Sequence, residues 1–267
     1  MPETGHDQAT GLRRLFARDT LQVLSVRGTA DCGATAVTLD LAKALVTLGR
    51  RPLIIDLEKG QAAIALGLRP RYELAHVLCG DKALAEVLLS GRDGVAVLPA
   101  LRGFELAAER GSWKRTLSDL LCESPQAFNV WLINGAAGRV ADTESPLLVI
   151  APTRDAITGA YAQIKLLARD QGQREFRVVV DRAASESVAL SVFTSIAETS
   201  RRFLAARLDY CGYLPQEERA HLSKHAATRM KPVDALSPRA HAFSRLAEAV
   251  FAAMPANPPQ TALSLGR

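Results

Sequence analysis

One rhythm in the sequence constrains the fold more than any other feature. Short β-rich apolar runs recur at 21–26, 52–56, 95–98, 130–133, 147–151, 176–180 and 208–214. Several are continuously apolar, such as Leu53-Ile54-Ile55 and Leu147-Leu148-Val149-Ile150. A strand wet on one face alternates polar and apolar residues; a strand without polar positions is covered on both faces. Amphipathic stretches lie between the runs. In 36–48, Val37, Leu41, Ala44, Leu45 and Leu48 fall on one stripe, and Gly49 ends it. Segments 158–168 and 188–203 read the same way. Strand and helix alternating this often predict an α/β fold: a single doubly wound, mostly parallel sheet with helices on both faces. There is no internal repeat. A chain of 267 residues, 48% of them hydrophobic, buries one large core, so 20–254 is expected to be one domain.

Two ends fall outside the rhythm. Residues 1–19 hold a short amphipathic segment, 7–17, with Asp7 as a helix N-cap and Leu12, Leu15 and Phe16 on one face. Residues 255–267 are Pro-rich and read as a disordered tail. Near the end, 241–254 places Phe243, Leu246, Val250 and Phe251 on one helix face, which reads as a core face rather than a lipid contact.

Composition removes several classes of function. No stretch approaches the ~18 consecutive apolar residues of a membrane span. Residues 1–6 are polar with no apolar signal core, so a cytoplasmic location is expected. Lys and Arg number 33 against 28 Asp and Glu, and the net +5 is scattered along the chain. That predicts no specific nucleic-acid partner and weak or no membrane association. Cys32, Cys79, Cys122 and Cys211 form no CxxC pair and read as free thiols. His221 and His225 stand at i, i+4 without an HExxH glutamate and read as a solvated helix face.

The informative loop follows the first strand: Gly28-Thr29-Ala30-Asp31-Cys32-Gly33-Ala34-Thr35. Its spacing is that of GxxxxGK[ST], in which backbone N–H groups and a helix N-terminus cradle a phosphate. Gly28 and Gly33 permit close backbone approach, and Thr35 stands where a hydroxyl ligates Mg²⁺. Ala34 replaces the lysine. A charge-assisted hydrogen bond contributes ~1.5–3 kcal/mol, so its loss weakens a nucleotide roughly ten- to a hundredfold. Asp31, inside the loop, adds a repelling charge. The second strand ends at Asp56, with Glu58 two residues on. Acids at the C-terminal end of a parallel strand can hold Mg²⁺-bound water or orient a nucleophile. Asn134 ends the fourth run, where an amide can bind water but brings no charge to a cation.

Taken together, these residues resemble the MinD/ParA family of P-loop ATPases, whose loop reads KGGVGKT. Leu66-Gly67-Leu68-Arg69-Pro70, Gly94-Val95-Ala96-Val97-Leu98-Pro99-Ala100, Asn134-Gly135-Ala136-Ala137-Gly138 and Leu208-Asp209-Tyr210-Cys211-Gly212-Tyr213-Leu214-Pro215 resemble further family segments. Asp7-Gln8-Ala9-Thr10-Gly11-Leu12-Arg13 resembles the DQAxxLR motif of one branch, the FlhG/FleN regulators of flagellar number.

The resemblance implies ATP and Mg²⁺ as cofactors and an ATP-dependent homodimer at the inner face of the plasma membrane. It implies contact of the DQAxxLR helix with an FlhF-like GTPase, whose hydrolysis it stimulates, and contacts with flagellar switch components. By the same resemblance, Thr29 stands where the family has the signature lysine that reaches the partner's phosphates. Asn134 stands for a metal-bracing Asp, Glu58 for the second acid of DxD, and Asp181 for an Asn that reads adenine. Every departure falls in the nucleotide site, comprising Gly28, Thr29, Asp31, Cys32, Gly33, Ala34, Thr35, Asn134 and Asp181, with Asp56 and Glu58 as catalytic and Thr35 and Asp56 as metal candidates. The partner segment keeps Asp7, Gln8, Ala9, Leu12 and Arg13, with Leu15 and Phe16 beside them. The expectation is a regulator of flagellum assembly with weak or absent ATP turnover, monomeric unless nucleotide binds. The competing expectation is a working ATPase of the partition or cellulose-synthesis type, with Arg27, Lys59 or Arg154 replacing the lost lysines.

Overall fold

Strand positions follow from which residues must be dry. A computed structural model describes residues 21–29, 32–91, 93–109, 113–122, 126–135, 145–216 and 237–252. It contains β1 (Gln22–Gly28), β2 (Pro52–Asp56), β3 (Leu89–Ser90), β4 (Ala96–Pro99), β5 (Val130–Asn134), β6 (Leu147–Ile150), β7 (Glu175–Ala183) and β8 (Arg207–Pro215). They form one eight-stranded sheet in the order β3-β4-β2-β5-β1-β6-β7-β8. All described pairings are parallel except β3 with β4. The predicted doubly wound sheet is therefore the observed one. β2, β4, β5 and β6 are buried at every position, as their continuous apolar runs require. β3 escapes sequence reading because two residues carry no periodicity.

The described helices are α1 (Ala34–Thr47), α2 (Gln61–Ala65), α3 (Leu74–Leu78), α4 (Leu84–Val87), α5 (Leu101–Glu109), α6 (Trp113–Cys122), α7 (Arg154–Asp170), α8 (Glu186–Leu204) and α9 (Pro238–Ala252). α7 and α8 start earlier than the apolar stripe suggests, and the reason is capping. Thr153 Oγ1 accepts from Ala156 N at 3.4 Å, and Ser185 Oγ accepts from Val188 N at 3.3 Å. No helix among the described residues is long and apolar enough to cross a membrane.

Core residues sort by sheet face. Leu24, Val26, Ile54, Leu132, Leu147 and Val149 pack with α1 and α9. On the opposite face there are two clusters. One joins Leu53, Ile55, Leu98 and Ile133 to α5 and α6; the other joins Leu148, Ile150, Val178 and Val180 to α7 and α8. β1 runs between these two clusters and contributes Ser25 and Arg27 there, both buried.

The predicted core face of the last helix is buried: Phe243, Leu246, Val250 and Phe251 all pack inward. Two polar ties hold α9 down. Gln22 Nε2 donates to the Phe251 carbonyl at 2.9 Å. Arg239 Nη2 donates to Asp181 Oδ1 at 2.7 Å, and its Nη1 to the Pro215 carbonyl at 2.8 Å. Both side chains of this ion pair are 4% exposed, so the pair is desolvated and neither charge can be removed alone cheaply.

Arg239→Met, which leaves the Asp181 carboxylate buried with its main partner gone, is expected to lower unfolding stability by about 3–5 kcal/mol. An Asp181→Leu/Arg239→Met double variant should recover most of that loss in urea denaturation. A double variant as unstable as the single one would show that packing, not charge, is at stake.

Candidate functional site

The loop after β1 keeps the shape of a phosphate cradle. Cys32 N donates to the Thr29 carbonyl at 3.2 Å. Gly33 holds φ 80°, and α1 begins at the next residue with no side-chain cap on its first turn. A Cβ on Gly28 would run into Cys32 Sγ and lie 2.9 Å from Ala34 Cβ, so only glycine fits there. The N–H groups at the α1 N-terminus are thus left for a loop ligand. Ala34 and Thr29 bring no charge to the loop. Thr29 instead packs its methyl against Gly159 of α7, and its Oγ1 is buried without a partner.

Beside the cradle lies a sealed polar network. Asn134, fully buried at the end of β5, donates from Nδ2 to Asp56 Oδ1 at 3.0 Å and to Thr35 Oγ1 at 3.3 Å. A carboxylate can only accept, which fixes the amide's orientation. Thr38 Oγ1, in α1, lies 3.2 Å from Asn134 Oδ1 and 2.9 Å from the Ala34 carbonyl, so its single proton can serve either. Asp56 also accepts from Glu58 N at 3.0 Å and, through Oδ2, from Ala62 N at 2.9 Å. It therefore ties down the chain after β2 and the first turn of α2. The carboxylate is 0% exposed, yet all its bonds come from the protein itself. Thr35 and Asp56, the two candidate metal ligands, are thus joined through one amide.

Glu58 is half-buried and lies against Gly135, where a Cβ would run into its carboxylate. Asp181 reaches the cradle from β7: its Oδ2 is 3.2 Å from where a Cβ on Gly33 would be. Its other oxygen is held by Arg239, and Arg182 Nε lies 3.5 Å from Oδ2. The structure thus brings Gly28, Thr29, Cys32, Gly33, Ala34, Thr35, Asp56, Glu58, Asn134 and Asp181 to one end of the sheet. Asp31 and the segment holding Asp7, Gln8, Ala9, Leu12, Arg13, Leu15 and Phe16 lie outside the described residues, as do His221, His225 and the tail. Of the substitute cations, Lys59 and Arg154 are exposed, and Arg27 is buried on the face away from α1. Thr38 and Arg239 belong to the site and were missed. Thr38 had a signal, since it follows Thr35 by one helical turn on the same face. Arg239 had none, because 58 residues separate it from its partner.

Burial raises the Cys32 thiol above its ordinary range, with the Asp181 charge adding a smaller push in the same direction. Cys32 is 1% exposed, whereas Cys79 is exposed. Iodoacetamide at pH 7.5 should therefore label Cys79 and leave Cys32 unreacted until the chain unfolds, as read by peptide mass mapping.

Asn134→Asp would set two carboxyls about 3.0 Å apart in a dry site. Such a pair retains a shared proton that the unfolded chain releases near pH 4. Stability is then preserved below that pH and lost as pH rises toward neutrality. We expect a loss of about 3 kcal/mol at pH 7.5, largely absent near pH 4 and partly reversed by Mg²⁺. Equal losses at both pH values would refute the shared-proton account.

No family model matches the chain. It is 32% identical over 262 residues to the antiactivator FleN of Pseudomonas aeruginosa, covering 92% of each chain. Its fold matches the MinD cell division protein of Aquifex aeolicus with a TM-score of 0.65 at 22% identity, over 86% of this chain and 97% of that one. The septum site-determining protein MinD of Pyrococcus horikoshii, solved with Mg-ADP, matches with a TM-score of 0.56 at 22% identity, over 86% and 96%.

Proposed function

The chain belongs to the FlhG/FleN group of MinD/ParA-type P-loop ATPases, and from that premise we propose that it regulates flagellar number and placement by protein–protein contact, with ATP turnover weakened or lost. The working element is the leading segment acting on an FlhF-like GTPase. Gln8 contacts the catalytic water or a switch, Leu12, Leu15 and Phe16 pack on the partner, and Arg13 pairs with an acid. Asp7 and Ala9 complete the motif. Flagellar switch components are further partners.

The observation that carries the loss of turnover is the Asn134 amide bonded at once to Asp56 and Thr35. ATP and Mg²⁺ belong to the family, but the residues of this chain do not fit them. A magnesium ion at Thr35 would have to displace an amide N–H, and it would find one charge where the family supplies more. The triphosphate would find neither lysine. Asp181, already neutralised by Arg239, offers adenine an acceptor and no donor. Without bound nucleotide the family's sandwich dimer has no cement, so the chain is a monomer in this reading. The regulatory name of the Pseudomonas relative, an antiactivator, supports a regulatory role.

Two measurements test the reading. The full chain, and a peptide of residues 1–20, should each accelerate GTP hydrolysis by an FlhF-like GTPase, and Gln8→Ala should abolish the effect. Titration with a fluorescent ATP analogue and Mg²⁺ should give binding at least tenfold weaker than that of an Ala34→Lys/Asn134→Asp variant. Micromolar binding with phosphate release by the natural chain would instead establish a working ATPase.

A further inference from the structure

The phosphate cradle occupies the C-terminal ends of the strands. At the opposite end, where β2 and β4 begin, a cleft of about 320 Å³ opens. Pro52 starts β2 at the cleft and Asp56 ends it at the cradle. At a strand rise of ~3.3 Å per residue the two places lie about 13 Å apart. The cleft has three walls. One is Arg51 with Pro52. The second is the turn of the β3–β4 hairpin, from Ser90 to Ala96. The third is 126–128, which leads into β5.

Hydrogen bonds hold these walls in place. Arg51 N donates to Asn129 Oδ1 at 2.8 Å, and Asn129 N donates back to the Arg51 carbonyl at 3.2 Å. Gln126 Nε2 donates to Ser90 Oγ at 3.5 Å, which ties the third wall to the second. Gly91 N donates to the Val95 carbonyl at 2.8 Å and closes the hairpin turn. A ligand therefore meets a cleft already formed and does not have to order it.

The lining is apolar at the floor and cationic at the rim. Pro52 and Ala96 are buried, and Phe128 is half-buried with no aromatic partner among the described residues. Arg51 is exposed. Its main chain is bonded to Asn129, but its guanidinium makes no ion pair with any described residue. Ser90 Oγ accepts from Gln126, so its own proton is left to donate. No acid lines the cleft. Asp93, on the same hairpin, pairs instead with Lys43 Nζ at 3.6 Å.

We propose that this cleft binds a small aryl monocarboxylate, independently of the phosphate cradle. The floor takes the ring, with Phe128 offering a face or edge for offset packing. The rim takes the acid: a guanidinium fork matches a planar carboxylate, and the Ser90 hydroxyl adds a donor. The volume is at the small end of ligand pockets, which suits one ring on a short acid chain. A bare inorganic anion would leave the apolar floor unused, and a neutral arene would leave the guanidinium unpaired.

Titration of the full chain with 3-phenylpropanoate, 3-phenylpropanamide and acetate, followed by amide NMR shifts, tests this. The phenylpropanoate should bind saturably and move the signals of Gly91, Gly94 and Ala127. Its amide should bind roughly three- to tenfold more weakly, the loss of a charge-assisted bond at a solvent-facing rim. Acetate, which has the charge without the ring, should move none of them. Arg51→Gln, at an exposed position, should bring the acid down to the affinity of the amide and leave the amide unchanged. Ala127→Trp, which fills the cleft, should abolish both, with an unchanged urea midpoint showing that the chain still folds. Equal binding of acid and amide by the natural chain would overturn the proposal. So would unchanged acid binding in Arg51→Gln, shifts centred on Gly28 and Gly33 of the cradle, or no saturable binding.

Discussion

The bond from Asn134 Nδ2 to Asp56 Oδ1 joins the ends of two adjacent parallel strands, β5 and β2, at 3.0 Å between two fully buried residues. Much of the molecule's functional end depends on it. Asp56 in turn accepts from Glu58 N and Ala62 N, so the turn after β2 and the start of α2 are anchored through the same carboxylate. The second N–H of Asn134 reaches Thr35 in the first turn of α1. One neutral side chain thereby ties three elements together. A buried carboxylate is costly unless it is hydrogen-bonded, and here three N–H groups of the chain donate to it. The same arrangement explains why an aspartate at 134 would need help from a cation, while an asparagine needs none.

Sequence reading reached the architecture because the sheet is dry on both faces. Continuous apolar runs such as Leu53-Ile54-Ile55 have one interpretation at that length, and the two glycines at 28 and 33 mark a loop that must fold tightly. It placed most of the site as well, since residues at the C-terminal ends of parallel strands must meet. What it could not supply was pairing. Whether Asn134 reaches water, metal or another side chain depends on a register between β2 and β5 that 78 residues of intervening chain do not reveal. Asp181 shows the same limit. Read alone, it is a carboxylate near a base-binding position; in the fold it is half of an ion pair with α9. The two-residue β3 and the early starts of α7 and α8 were hidden for a simpler reason, because short strands and polar caps lie outside any apolar stripe.

The Asp181–Arg239 pair bears on function through its position as much as its strength. Asp181 stands beside Gly33 at one side of the cradle, and Arg239 is in the first turn of α9, which packs on α1. A ligand that drew the carboxylate toward itself would have to leave a guanidinium uncompensated in a place where each charge is 4% exposed. That cost opposes any adenine-like occupant. Around the loop the described side chains are committed to one another: the Asn134 amide to Asp56 and Thr35, and the Asp181 carboxylate to Arg239. Backbone shape, by contrast, is retained at Gly28 and Gly33, because those glycines also satisfy packing against Cys32 and entry into α1.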